Sequence, residues 1–298
     1  MPGVSFSNTK RTHPAPASWK SGWGSGVFAT CANPECTSGW LHLGRSRSVP
    51  VFESGWCCSL ACTTAQLETA VGRELEGHGK IEAGHRHRVP LGLVMLEQGW
   101  INSSQLRDAL EAQKAAGAGR LGQWLMRQQG VSELLVTRAL GLQWSCPVLP
   151  IDMHDAGALT AMVPRLFVDA FGVLPLRVAA GQLLYLGFED RLDPVLALAA
   201  ERMTGLRVES GIVQETLFGT AHAHMLNSDF PTAELIEAVS EGTAVRAFAN
   251  AIERTRPAQS RLVRVHDCLW LRMWRRVQQG PLPELAAIQD LICSLTTL

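Results

Sequence analysis

Five of the eight cysteines in this chain fall between residues 31 and 62: Cys31, Cys36, Cys57, Cys58 and Cys62. Thiolates are strong zinc ligands, and four of them close a tetrahedral site. Cys31 and Cys36 bracket a tight knuckle. Cys58 and Cys62 open an apparent helix running from Thr63 to about Leu75, where the helix dipole favours thiolate. Cys31, Cys36, Cys58 and Cys62 are therefore the expected ligands of a structural Zn2+, with Cys57 as a substitute for Cys58. Disulfides or buried reduced thiols are the competing reading. The first 21 residues are rich in Ser, Pro and Thr and lack the apolar stretch of a signal peptide. That points to a reducing compartment, where clustered cysteines more often bind metal. A closed site of four cysteines leaves no position for a reactive water, so catalytic zinc is not expected. Loss of Cys58 is expected to melt only the N-terminal module.

The elements further along the chain repeat. Residues 91–113 and 121–143 carry one pattern at a constant offset: Leu91, Gly92, Leu106, Ala109, Leu110 and Gln113 match Leu121, Gly122, Val136, Ala139, Leu140 and Gln143. A register kept through a whole copy implies two helix-turn-helix units packed on each other, each too small to bury its own apolar face. Gly99 closes the first helix of copy one, and Asn102 or Ser103 caps the second. Ser132 plays that part in copy two. Spacing alone is also satisfied by a plain pair of helical hairpins without a ligand.

Arg120-Leu121-Gly122, an apolar pair, a Gly, a Val-Ser-Glu cap, Leu-x-x-Ala-Leu and a closing Gln resemble the N-terminal domain of type II secretion and type IV pilus assembly ATPases. That domain is called the MshEN or GspE N-terminal domain. The resemblance spans roughly residues 88–225. It includes Pro147–Asp152 as a short strand, Met162-Val-Pro, Gly172-Val-Leu-Pro-Leu and Thr204-Gly205. It implies that the repeat binds cyclic di-GMP, as some members do, through Leu91, Gly92, Gln113, Arg120, Leu121, Gly122 and Gln143. Other members use the domain to dock on the secretion platform. The chain departs from the pattern at two points. Pro90 stands where the first motif would have its Arg, and Gln129 replaces the second Gly, with Gly130 displaced by one. The cysteine segment resembles a treble-clef-like zinc finger.

Arg45 and Arg47 lie beside Trp40, a mix that could touch nucleic acid. The 27 Lys and Arg residues are, however, balanced by 27 Asp and Glu, and phosphate binding usually leaves a basic surplus. No P-loop, G-x-S-x-G elbow or H-E-x-x-H occurs. Asp152, Asp155, Glu189 and Asp190 fit caps and turns better than an acid/base pair. The longest apolar runs, such as Leu192–Ala200, are too short to span a bilayer, so a cytoplasmic protein is expected.

These observations predict a multidomain α+β chain. It has a disordered arm (1–24), a small four-cysteine zinc module (25–80), a tandem helical-repeat domain (85–145), a small α/β domain (146–225) and C-terminal helices (232–298). In the α/β part, Val173–Arg177 and Leu183–Phe188 form a hairpin. A helix from about Asp193 to Thr204 ends at Gly205, and Leu206–Val213 is a third strand. At the C-terminus, helices are expected over Ala233–Ala251 and Leu262–Gln279. His222 and His224 read as surface residues. The expected function is that of a non-enzymatic regulator or adaptor working with secretion or pilus assembly proteins. The alternatives are a zinc-dependent nucleic-acid-binding regulator, or a protein-docking scaffold with a degenerate nucleotide site, which Pro90 and Gln129 favour.

Overall fold

Side-chain caps at Asn102, Asp193 and Ser240 and glycines at Gly117, Gly130, Gly172 and Gly205 set several helix ends, whereas Ser132, expected as a cap, starts its helix without a side-chain bond. The computed structural model describes residues 30–38, 49–53, 55–76, 88–151, 156–278 and 280–295. The expected arm, the linker after residue 76, the loop holding Trp40, Arg45 and Arg47, and Asp152 and Asp155 lie outside the described residues. The cysteine segment forms β1 (Val51–Phe52), β2 (Gly55–Trp56) and α1 (Leu60–Glu76). The repeat forms α2 (Leu91–Glu97), α3 (Ser103–Ala116), α4 (Leu121–Gln129) and α5 (Glu133–Trp144). Asn102 caps α3 in a full capping box with Gln105, which satisfies two backbone donors at once. Gly99 and Gly130 both take left-handed backbone, at φ 68° and 63°. The displaced glycine therefore serves the turn that Gln129 could not.

The α/β unit follows with α6 (Ala156–Leu159), α7 (Arg165–Phe171), β3 (Val173–Ala179), β4 (Leu183–Phe188), α8 (Pro194–Thr204), β5 (Arg207–Ile212) and α9 (Glu215–Leu226). β3 and β4 make the expected antiparallel hairpin, and β5 adds parallel to β4. The Asp193 side chain caps α8 and Gly205 ends it at φ 74°, while Val148 bridges to Ile212 beside β5. His222 is half-buried: its Nε2 lies 2.9 Å from the Val168 carbonyl, and its ring stacks on Phe218.

The C-terminal stretch corrects the sequence reading. One helix, α10 (Glu241–Thr255), is present, but it is flanked by β6 (Thr232–Ala238), β7 (Gln259–Val265), β8 (Cys268–Trp274) and β9 (Ile288–Leu295). The strands form one sheet in the order β6-β9-β8-β7. Residues 262–274 looked helical because both faces of the sheet are covered at β8, so this strand, Arg272 included, is buried nearly throughout rather than alternating. Leu269, Leu271 and Met273 enter one core while Trp270 and Trp274 enter another. Between them Arg272 makes a two-pronged pair with Asp290, both contacts at 2.7 Å. Arg272 also donates to the Ala161 carbonyl, tying the sheet to the α/β unit.

Three cores result. One joins the α/β unit to a face of the C-terminal sheet, and one belongs to the repeat alone. The remaining core fuses Phe52, Trp56, Leu67 and Val71 of the cysteine module with Val245, Phe248 and Ile252 of α10 and the other sheet face. The module is thus not an independent unit. β1 also lies along β7, with Val51 N donating to Pro257 O at 2.9 Å and Glu53 N to Ser260 O at 2.8 Å.

Candidate functional site

The knuckle and the start of α1 bring Cys31, Cys36, Cys58 and Cys62 together, with all four sulfurs within 4.8 Å of one another. Cys36 Sγ lies 3.5 Å from Cys58 Sγ, which is 3.6 Å from Cys62 Sγ. Tetrahedral Zn–S bonds of about 2.3 Å set sulfurs at roughly this separation. Among the described residues the cluster takes in Cys58 and not Cys57. Burial pushes up both thiols, Cys57 to about 11 and Cys58 to about 12. Two supports were not obvious in the sequence. The Ser59 hydroxyl accepts from Cys62 N at 3.3 Å and caps α1. At Gly55 a Cβ would come within 2.3 Å of the Ala32 Cβ, so only glycine lets the knuckle pass.

Glu74 anchors the far end of α1. It is 6% exposed and accepts from Arg202 Nη1 at 2.8 Å and from Arg264 N at 3.1 Å. Burial opposes its ionisation, but the Arg202 guanidinium outweighs it and holds the carboxyl below the usual range. A carboxylate in line with Leu67, Ala70 and Val71 on the apolar face of a helix was the available signal for this junction.

In the repeat, the two copies clasp each other. α3 packs on α4 and α2 on α5, so each copy completes the other. A Cβ at Gly92 would meet Leu106 at 2.6 Å and Leu121 at 3.2 Å. At Gly122 it would meet Val136 at 2.7 Å and Leu91 at 3.7 Å. Every partner in one set is the repeat counterpart of one in the other. Gln113 Nε2 donates to Gly119 O, and Gln143 Nε2 to Val89 O, both at 2.8 Å. Gly119 and Val89 are themselves equivalents, so the pair is related by a local pseudo-two-fold. Leu91, Gly92, Leu121, Gly122, Gln113 and Gln143 are thus brought to one locus around the starts of α2 and α4. Neither start has a side-chain cap.

Arg120 sits at the same locus but points to the α/β unit. Its Nη2 meets Glu189 Oε1 and its Nη1 meets Asp190 Oδ2, both at 2.9 Å. Partial burial works against its charge, and Asp190 with Glu189 more than offsets that, raising its pKa. Copy two makes further contacts there. Gln123 donates to Glu215 at 2.7 Å, Thr216 N donates to Glu133 at 2.8 Å, and Trp144 Nε1 donates to Asp190 O at 2.9 Å. The matching residues of copy one are Pro90, Leu93, Ser103 and Lys114. Among the described residues, their side chains make no hydrogen bond or ion pair with the α/β unit. Arg88, two residues before Pro90, stacks over Trp144 with its Cζ 3.2 Å from the ring centroid.

No helix of the described residues is long and apolar enough to cross a membrane. Among solved structures the chain is similar to MshE with cdg, at 25% identity over 46% of this chain and 99% of that one, with a TM-score of 0.36. It is also similar to the N-terminal domain of XpsE in two crystal forms. One match has 19% identity over 45% of this chain and 91% of that one (TM-score 0.30), the other 21% over 43% and 89% (TM-score 0.24). No family model and no curated protein matches the chain.

Proposed function

We propose that this chain is a non-enzymatic regulatory or adaptor protein whose tandem repeat takes a cyclic dinucleotide, cyclic di-GMP, at the paired starts of α2 and α4. The observation that carries the reading is the pseudo-two-fold itself. Leu91 over Gly122 and Leu121 over Gly92 place two equivalent, uncapped helix starts side by side. A cyclic dinucleotide of two identical halves has the same symmetry, and backbone N–H groups at helix starts suit its phosphates. Arg120 would supply the charge. Calorimetric titration of cyclic di-GMP, with GTP as control, tests the reading. Micromolar binding by the full chain that disappears in Arg120→Ala is the expected result, and no heat at high protein concentration, from wild type and from Glu189→Gln/Asp190→Asn alike, is the contrary one. The capture of Arg120 by Glu189 and Asp190 favours a second reading, a repeat that docks protein only. In either case the partners would be secretion or pilus assembly proteins in the cytoplasm.

The cysteine cluster would hold a structural zinc through Cys31, Cys36, Cys58 and Cys62, a donor set of four sulfurs that suits that ion. Because the module shares its core with α10 and the C-terminal sheet, its loss reaches beyond the N-terminal module. Cys58→Ala should abolish zinc content by atomic absorption and raise hydrogen exchange in α10 and β7 as well as in α1. Unchanged protection in α10 would show the module to be separable.

A further inference from the structure

We propose that Glu189 and Asp190 act as an internal substitute for the ligand's phosphate, holding Arg120 and thereby setting the affinity of the repeat for an anionic dinucleotide. The proposal rests on the nucleotide reading above and adds its regulation. Arg120 precedes α4 and carries an acidic clamp that its counterpart in copy one, Pro90, cannot carry. Each carboxylate takes a different terminal nitrogen at 2.9 Å. The two together present the same double negative charge as the two phosphates of a cyclic dinucleotide. The clamp is accessible, since the Arg120 side chain is 48% exposed. A phosphate approaching the start of α4 meets these carboxylates around the guanidinium it needs, and like charges there repel. Binding therefore requires the β4–α8 loop to withdraw. That loop is also pinned through Asp190 O by Trp144 of copy two and leads directly into α8 through its cap Asp193. Occupancy of the repeat is thus coupled to the contact between the repeat and the α/β unit.

The test compares calorimetric titrations of cyclic di-GMP into the full-length wild type, Glu189→Gln/Asp190→Asn and Arg120→Ala, each first checked for an unchanged melting transition. Two exposed pairs of ordinary strength predict that the double variant binds about tenfold more tightly than wild type, while Arg120→Ala does not bind. Binding by the double variant alone supports the clamp in its strongest form. If wild type binds and the double variant binds equally or more weakly, the clamp is wrong while the nucleotide reading stands. If none of the three proteins binds, both fail together. Should the double variant unfold, Glu189→Gln alone leaves the Asp190 contacts in place and should tighten binding by about threefold; an unchanged affinity there overturns the clamp.

Discussion

The two copies of the repeat are alike inwardly and differ outwardly. Inside, the same positions do the same work: Gly92 admits Leu106 as Gly122 admits Val136, and Gln113 and Gln143 close reciprocal hydrogen bonds. Outside, copy two commits Arg120, Gln123, Glu133 and Trp144 to the α/β unit. Copy one presents Pro90, Leu93, Ser103 and Lys114 at those places, with Leu93 51% exposed. Duplication preserved the residues that let two half-cores complete each other. The outward positions differ, and of the four in copy two Trp144 also meets copy one, under Arg88.

The inward half of this comparison makes the largest prediction. Gly92→Val and Gly122→Val should each overpack the clasp and lower stability by about 2–3 kcal/mol in urea unfolding. A silent variant in one copy would show that the copies do not share a packing rule. The outward half makes a smaller and unequal one. Glu133→Ala, which removes the acceptor for Thr216 N and Oγ1, should cost about 1 kcal/mol. Its counterpart Ser103→Ala should fall within about 0.5 kcal/mol of wild type, as surface substitutions do. Equal losses would erase the distinction between a docked and an undocked copy.

Legibility in the sequence followed the range of the forces involved. The constant offset of the repeat, the hairpin around Ala180 and Gly181, and the Asp193 and Gly205 ends of α8 are local signals, and each appears where expected. Cys31, Cys36 and Cys62 were legible from spacing, with Cys57 left as a substitute for Cys58. The strands β6 to β9 were not. β8 is covered on both faces and loses its alternation, and β6 is an exposed edge rich in Ala, Glu and Leu. Arg272, inside the helix expected over Leu262–Gln279, is buried against Asp290. The fusion of the cysteine module with the C-terminal sheet was equally hidden. It depends on contacts such as Ser260 Oγ to Val51 O at 2.8 Å, between residues more than two hundred positions apart. Arg120 was legible as a basic residue at the motif start, but not its partners. Glu189 and Asp190 read as turn residues until the fold placed that turn against α4.

On the proposed reading the paired helix starts form one two-fold site. Hydrogen exchange of the full chain with and without saturating cyclic di-GMP tests it most directly. New protection is expected in both segments, 91–95 and 121–125, in the same complex. Protection confined to one copy, or appearing elsewhere with both segments unchanged, would contradict it.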